Sequence, residues 1–301
     1  MFSDRGNAFL MYAQRPATWV AMGEPVGPDE EAPELAARFC ALCRESKARP
    51  VFFEVREENR DRYRALGLAL TKLGEEARVE LARFDVDAPR YAGLRQASAR
   101  LRRRGCRFEI IAPREVPALM PELLRVSEAW LAAKPTREKG FSNAPFDAGY
   151  LSHFPAAIVR DEARLLAFAN LWQSGAREEL SVDLMRHLPE APNGTMDFLF
   201  TQILLWGRGE GYRWFNFGVA PLSGLERKDD ATLWDRVGTL LYRHGEHFYN
   251  FRGLRQYKEK FAPVWAPRYL ASPGGAALPL VLLDVAALIA GSVRAIVSKR
   301  A

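Results

Sequence analysis

Cysteine is the scarcest chemistry in this chain: Cys40, Cys43 and Cys106 are the only three among 301 residues. An odd, sparse set cannot build a disulfide framework, so a reducing, cytoplasmic setting is expected. The opening MFSDRGNAFLMY has neither the basic start nor the apolar run of a secretory leader. An unbroken membrane-spanning run is missing as well. The longest apolar stretch, residues 276–297, is interrupted by Pro279, Asp284 and Arg294, and a spanning helix would set Asp284 near mid-bilayer. A buried or membrane-lying terminal helix is the expectation there. With 22 Gly and 19 Pro the chain is also too poor in both for a low-complexity or fibrous protein.

What is present is an ordinary globular composition, 48% hydrophobic and 27% charged, at a length that suggests two domains. The formal charge of +6 is not spread evenly. Residues 1–87 carry a net −3, residues 88–107 hold seven arginines and no acid, and the remainder is +2. Such a block suits a polyanion or an anionic surface, although a solvated helix face would look the same.

Periodicity divides the chain into two similar runs of elements. Residues 8–13 and 18–23 read as a hairpin, 31–48 as an amphipathic helix, 51–55 as a strand and 59–66 as a short helix. A second strand pair follows at 68–73 and 77–81. Tyr91–Arg104 reads as an Arg-rich helix bridging two units. A comparable order then restarts: strand 107–111, helix 116–133, strands 155–160, 165–173 and 179–185, helix 195–209, strand 213–217 and helix 231–244. This predicts a mixed α/β chain of duplicated fold: an N-terminal unit over 1–87, a basic connecting helix over 88–106, and a catalytic unit over 107–301 that includes the terminal apolar helix.

Several familiar motifs fail on context. Cys40-Ala-Leu-Cys43 has zinc or redox spacing, but its only conceivable partner pair, His244 and His247, lies about 200 residues away, whereas structural zinc sites use local pairs. No metal is expected. Gly207, Gly209 and Gly211 follow a helix and precede a strand, the reverse of a phosphate-binding loop. No G-x-S-x-G elbow is present. Three stretches stay dense in unlike polar groups and aromatics: LSVDLMRH (180–187), WFNFGVAPLSG (214–224) and FYNFRGLRQYKEKF (248–261). Asp183 and Arg186 lie three apart on a predicted strand and so point to opposite faces unless the strand bends after Leu184. The last stretch starts extended and becomes helical, offering Arg252, Arg255, Lys258 and Lys260 to phosphate.

Together with FSDRGNAFLMY…WVAMGEPVGP (2–28), KGFSNAPFDAGYLSHFP (139–155) and LYRHGEHFYNFRGLRQYKEKFAPVWAPRYLA (241–271), these stretches resemble the catalytic domain of MprF-type phosphatidylglycerol aminoacyltransferases. The resemblance covers nearly the whole chain. It implies a tandem of two GNAT-like folds joined by a helix, and transfer of a lysyl or alanyl group from aminoacyl-tRNA to a hydroxyl of phosphatidylglycerol at the cytoplasmic side of the bacterial inner membrane. It also implies a multi-span flippase domain ahead of this one in full-length members, which this chain does not contain.

The donor ester is already activated, so neither metal, ATP nor acyl-CoA is expected as a cofactor. The resemblance implies Asp183, Arg186 and Lys258 for catalysis. Asp183 would orient the lipid hydroxyl or grip the donor's α-amine, while Arg186 and Lys258 would hold phosphate. Arg252, Tyr257, Asn216 and Ser223 are further candidates for substrate binding. Glu246, Glu178 and Glu179 could supply the carboxylate a lysyl side chain would want. Arg102, Arg103 and Arg104 would meet tRNA or lipid phosphate. Two competing readings remain: tRNA-dependent transfer to a peptide or protein amine, as in Fem-type enzymes, and a basic binding module without catalysis.

Overall fold

The computed structural model describes residues 1–134, 138, 140–142, 144–162, 164–224 and 251–290. Its spine is one ten-stranded sheet in the order β1-β2-β3-β10-β4-β9-β8-β7-β6-β5. The strands are β1 (Tyr12–Arg15), β2 (Thr18–Met22), β3 (Arg49–Arg56), β4 (Ala69–Glu80), β5 (Arg107–Ile111), β6 (Ala156–Arg160), β7 (Leu165–Gln173), β8 (Glu179–His187), β9 (Trp214–Pro221) and β10 (Val264–Ser272). The helices that cover it are α1 (Ala32–Glu45), α2 (Arg60–Ala65), α3 (Ala92–Arg103), α4 (Val116–Ala132), α5 (Ala148–Leu151), α6 (Thr195–Gly209), α7 (Phe251–Glu259) and α8 (Leu278–Ile289).

The duplication lies in the connectivity. In each half an antiparallel hairpin, β1–β2 or β7–β8, is followed by a long helix, α1 or α6. That helix carries the chain over to a strand parallel to the one just left. A parallel neighbour cannot be reached by a tight turn, so the crossover helix is obligatory. The two half-sheets join edge to edge where β4 pairs antiparallel with β9.

Alternation of side chains builds a core on both faces of the first half. Ala21, Phe52 and Val55 face α1, where they pack with Leu35, Phe39 and Tyr63. Val20, Val51 and Phe53 face the other way and pack with Leu278, Val281, Leu282 and Val285 of α8. The terminal helix is therefore buried against the first half. Asp284, which made a membrane span unattractive, accepts a 2.6 Å hydrogen bond from Thr18 Oγ1 and lies 3.7 Å from Arg15. Among the described residues no helix is long and apolar enough to cross a membrane.

Three boundaries differ from the sequence reading. The strand pair expected at 68–73 and 77–81 is the single twelve-residue β4; between the two expected strands Gly74 makes a close approach, since a Cβ there would lie 2.4 Å from Ala220 O of β9. Residues 8–11 are not in the hairpin; Phe9 makes isolated bridges with Phe2 and Val26 instead. Finally, β10 inserts between β3 and β4 and α8 packs on the same half-sheet, so a cut at residue 107 does not separate the halves. The expected helix 231–244 lies outside the described residues.

Candidate active site

The two middle strands of the second half part company. β8 and β9 stay in parallel register for only Glu179–Trp214, Leu180–Phe215 and Ser181–Asn216. Beyond that point β8 continues with β7 to His187, while β9 continues with β4 to Pro221. Each strand has a register irregularity here, opposite Asn170 on one side and opposite Ala77 on the other. Bulges of this kind bend strands and re-aim side chains. The Asn170 side chain closes the first one by accepting from Leu184 N at 2.7 Å.

Asp183 lies at that bend. Its Oδ2 accepts from Tyr150 Oη at 2.7 Å and its Oδ1 from Ala144 N at 3.1 Å. Trp172 Nε1 in turn donates to Tyr150 Oη at 2.9 Å. Burial and the Asp183 carboxylate push the Tyr150 phenol well above its usual range, so it stays a donor. Asp183, Tyr150 and Trp172 line a cavity of about 390 Å³ whose other walls include Met11, Met22 and Phe141. Both halves of the molecule thus contribute to one mostly apolar chamber with a fixed carboxylate, the usual make-up of a small-molecule site.

Arg186 goes elsewhere. Its guanidinium lies 4.0 Å from the Trp130 ring centroid and donates to Glu138 Oε2 at 2.9 Å and to Met185 O at 3.2 Å. The irregularity in β8 falls at Asp183–Leu184, with regular pairing from Met185 to His187, and Asp183 and Arg186 do not converge: they engage different partners, on the segment between α4 and α5 or its flanks.

Lys258 departs from its expected setting. It is 5% exposed, and its Nζ donates to Gly218 O at 2.9 Å and Val219 O at 3.0 Å, carbonyls at the β9 irregularity. Burial pulls its ammonium down to about 8, against the opposing pull of Glu54 and Glu76. A buried ammonium saturating backbone carbonyls is not an open phosphate clamp. Around it runs a polar network: Asn216 Nδ2 donates to Glu76 Oε1 at 2.9 Å and Glu179 Oε1 at 3.0 Å, and Arg268 pairs with Glu76. Arg78 also pairs with Glu179, at 2.9 Å.

Several other candidates make contacts within the fold. Ser223 ties a turn to β4, donating to Ala220 O at 2.8 Å and accepting from Glu75 N at 3.0 Å. Tyr257 is packed among Phe200 and Phe261, and burial together with Asp197 raises its phenol far above the ordinary range. Of the lysyl-side-chain carboxylates, Glu178 is on the surface with Arg213 at 3.1 Å, and Glu179 is committed as above. Glu246 and the Arg252 side chain lie outside the described residues. Cys40 and Cys43 are buried within α1, where burial raises both thiols, Cys43 to about 12. In the arginine block, Arg95 donates to Val86 O and Ala88 O, Arg100 to Asn193 O, and Arg102 to Gln202 Oε1 at 3.2 Å. Arg103 and Arg104 are exposed.

The sequence reading missed Tyr150 and Trp172, which the structure brings onto Asp183. Tyr150 lay inside a quoted stretch, KGFSNAPFDAGYLSHFP, without being singled out.

A twin-halved α/β sheet with a chamber where a parallel pair separates defines a tandem GNAT-like fold; the FemX crystal structure shares the overall fold at TM-score 0.55 over 91% of this chain and 85% of that one, at 11% identity. Residues 1–272 match the family model for the C-terminal region of phosphatidylglycerol lysyltransferase, and the chain belongs to that family. The phosphatidylglycerol lysyltransferase of Bacillus subtilis is 35% identical over 292 residues, covering 97% of this chain and 34% of that protein. The chain thus spans about a third of the length of the curated relatives it matches. Among solved structures, a C-terminal domain from Agrobacterium fabrum assigned to lysylphosphatidylglycerol synthetase superposes at TM-score 0.87 with 42% identity, covering 98% of this chain and 90% of that one. The L-PGS structure from Bacillus licheniformis gives TM-score 0.87 at 34% identity, covering 97% and 89%.

Proposed function

We propose that the protein moves an aminoacyl group, lysyl in the first instance, from aminoacyl-tRNA to a hydroxyl of phosphatidylglycerol, working at the cytoplasmic face of a membrane. Family membership supports the reaction class, and the names of the relatives favour lysyl over alanyl. The observation that carries the reading is the Trp172–Tyr150–Asp183 chain at the point where β8 and β9 diverge.

Each Asp183 oxygen already accepts one hydrogen bond. Those bonds fix its direction and leave lone pairs free toward the chamber. It would hold the donor's α-ammonium, setting the ester carbonyl beside the lipid hydroxyl. Positioning of this sort lowers the barrier by removing translational freedom from the reacting pair. The apolar walls from Met11, Met22 and Phe141 would exclude water, which otherwise competes for the ester. Charges beyond the chamber, including Arg103 and Arg104, would meet phosphate.

The test is a transfer assay with labelled lysyl-tRNA, labelled alanyl-tRNA and phosphatidylglycerol vesicles. Label from lysyl-tRNA is expected in the lipid fraction. Label entering protein or peptide instead would favour the Fem-type alternative, and label in neither would leave a binding module.

A further inference from the structure

The chamber holds a second carboxylate that has no part in the transfer step as described. Asp147 lines it together with Asp183, and the other lining residues include no Lys, Arg or His. Among the described residues neither carboxylate has an ion-pair partner. Acids nearby on the sheet are neutralised: Glu76 pairs with Arg268, Glu179 with Arg78 and Glu75 with Arg255. The chamber is therefore a place where negative charge is left uncompensated by the protein.

Tyr150 sets the spacing of the two acids. Its backbone N donates to Asp147 Oδ1 at 2.7 Å, and its phenol donates to Asp183 Oδ2 at 2.7 Å. The carboxylates are thus held at opposite ends of one residue, Asp183 half-buried and Asp147 exposed. Capping α5 accounts for one oxygen of Asp147 but not for its charge, since Asn or Ser caps a helix as well as Asp does. Among the described residues Asp147 Oδ2 accepts no hydrogen bond.

We propose that Asp147 selects lysyl over alanyl donors by receiving the ε-ammonium while Asp183 holds the α-ammonium. This assignment rests on the proposed transfer reaction and deepens it. A lysyl group carries its two ammonium groups at the ends of its carbon chain, a span comparable to that from the backbone nitrogen to the phenol oxygen of a tyrosine. Its methylenes suit the walls from Met11, Met22 and Phe141, and its double positive charge complements two carboxylates with no base beside them. An alanyl group brings one ammonium and a methyl, so it leaves Asp147 without a partner and much of the 390 Å³ cavity unfilled. Glu178 and Glu179, which sequence offered for this task, are held by Arg213 and by Arg78 with Asn216.

The test compares kcat/KM for one tRNA carrying either lysine or norleucine, with phosphatidylglycerol vesicles as acceptor. Norleucine keeps the methylenes of lysine and lacks the ε-amine. Wild type should prefer the lysyl donor. Asp147→Asn and Asp147→Ser keep a capping oxygen for Tyr150 N and remove the charge, so both should melt with wild type. In both, the lysyl-to-norleucyl ratio should fall roughly 10-fold, between the effect of an exposed ion pair and that of a buried hydrogen bond to a charged group. Asp183→Asn alters the contact that both donors share, so it should slow both and keep the ratio. A ratio that stays constant in the Asp147 variants, whether both rates hold or both fall, would overturn the assignment and leave the transfer reaction standing. So would a ratio that falls as far in Asp183→Asn. Wild type that labels lipid from neither donor would overturn the reaction itself, and the assignment with it.

Discussion

Side chains in this protein are best understood by where their hydrogen bonds end. Asp183 is the candidate site residue because Tyr150 and Ala144 N fix it in the wall of a chamber, while Arg186, three residues on, is spent on Glu138 and Trp130. Tyr150 acts through Asp183. Tyr150→Phe removes a hydrogen bond to a charged group, worth about 1.5–3 kcal/mol, so transfer should fall roughly 10- to 100-fold. If the phenol only positions the carboxylate, the loss should appear in KM for lysyl-tRNA as well as in kcat. Unchanged kinetics would detach Tyr150 from the site. Asp183 was legible in sequence because VDLMRH is a family stretch. Its partners were not, since Tyr150 and Trp172 lie 33 and 22 residues from the atoms they touch, respectively, and meet only through sheet register and the short α5. Lys258 was legible as a residue but not as a buried one. Its helix is strongly amphipathic in composition, and nothing local says that its ammonium turns inward to carbonyls of β9.

At the level of elements, the chamber depends on the seam between the half-sheets. β4 and β9 approach so closely at Gly74 that any side chain would strike Ala220 O. Gly74→Ala should therefore destabilise the fold by about 1–3 kcal/mol, the usual cost of overpacking, and lower transfer by disturbing the β9 bulge. A thermal melt indistinguishable from wild type would show that the seam yields. Here the sequence misled in an instructive way. The segment was split into two short strands, and only the neighbouring strand reveals Gly74 as the place where two backbones meet. The parallel ladders were better foreshadowed, because hairpin–helix–strand order leaves few ways to bring the third strand back.

For the molecule as a whole, the charge asymmetry gains an address. The arginine-rich α3 joins the halves and packs through Leu94 and Leu101 onto the core shared with α6. Arg95, Arg100 and Arg102 are partly used in holding neighbouring segments. Arg103 and Arg104 remain exposed on its last turn and just beyond. Contacts to phosphate release counterions, so an Arg102→Gln, Arg103→Gln, Arg104→Gln triple variant should bind tRNA or anionic vesicles more weakly and with a shallower salt dependence. An unchanged salt slope would make the block a solvated face. That two related runs of elements follow one another was visible in their repeating order; that both contribute to one chamber was not. That the C-terminal strand and helix complete the N-terminal half was not, because nothing in local sequence says which sheet edge a strand will join.

The central claim is that the Asp183 chamber carries aminoacyl transfer to lipid. Its most direct measurement follows label from lysyl-tRNA into phosphatidylglycerol vesicles with wild type and with Asp183→Ala, compared at equal melting temperature. The account predicts labelled lipid with wild type and a loss of roughly 100-fold or more with the variant. Substantial lipid labelling by Asp183→Ala, or none by wild type, would contradict it.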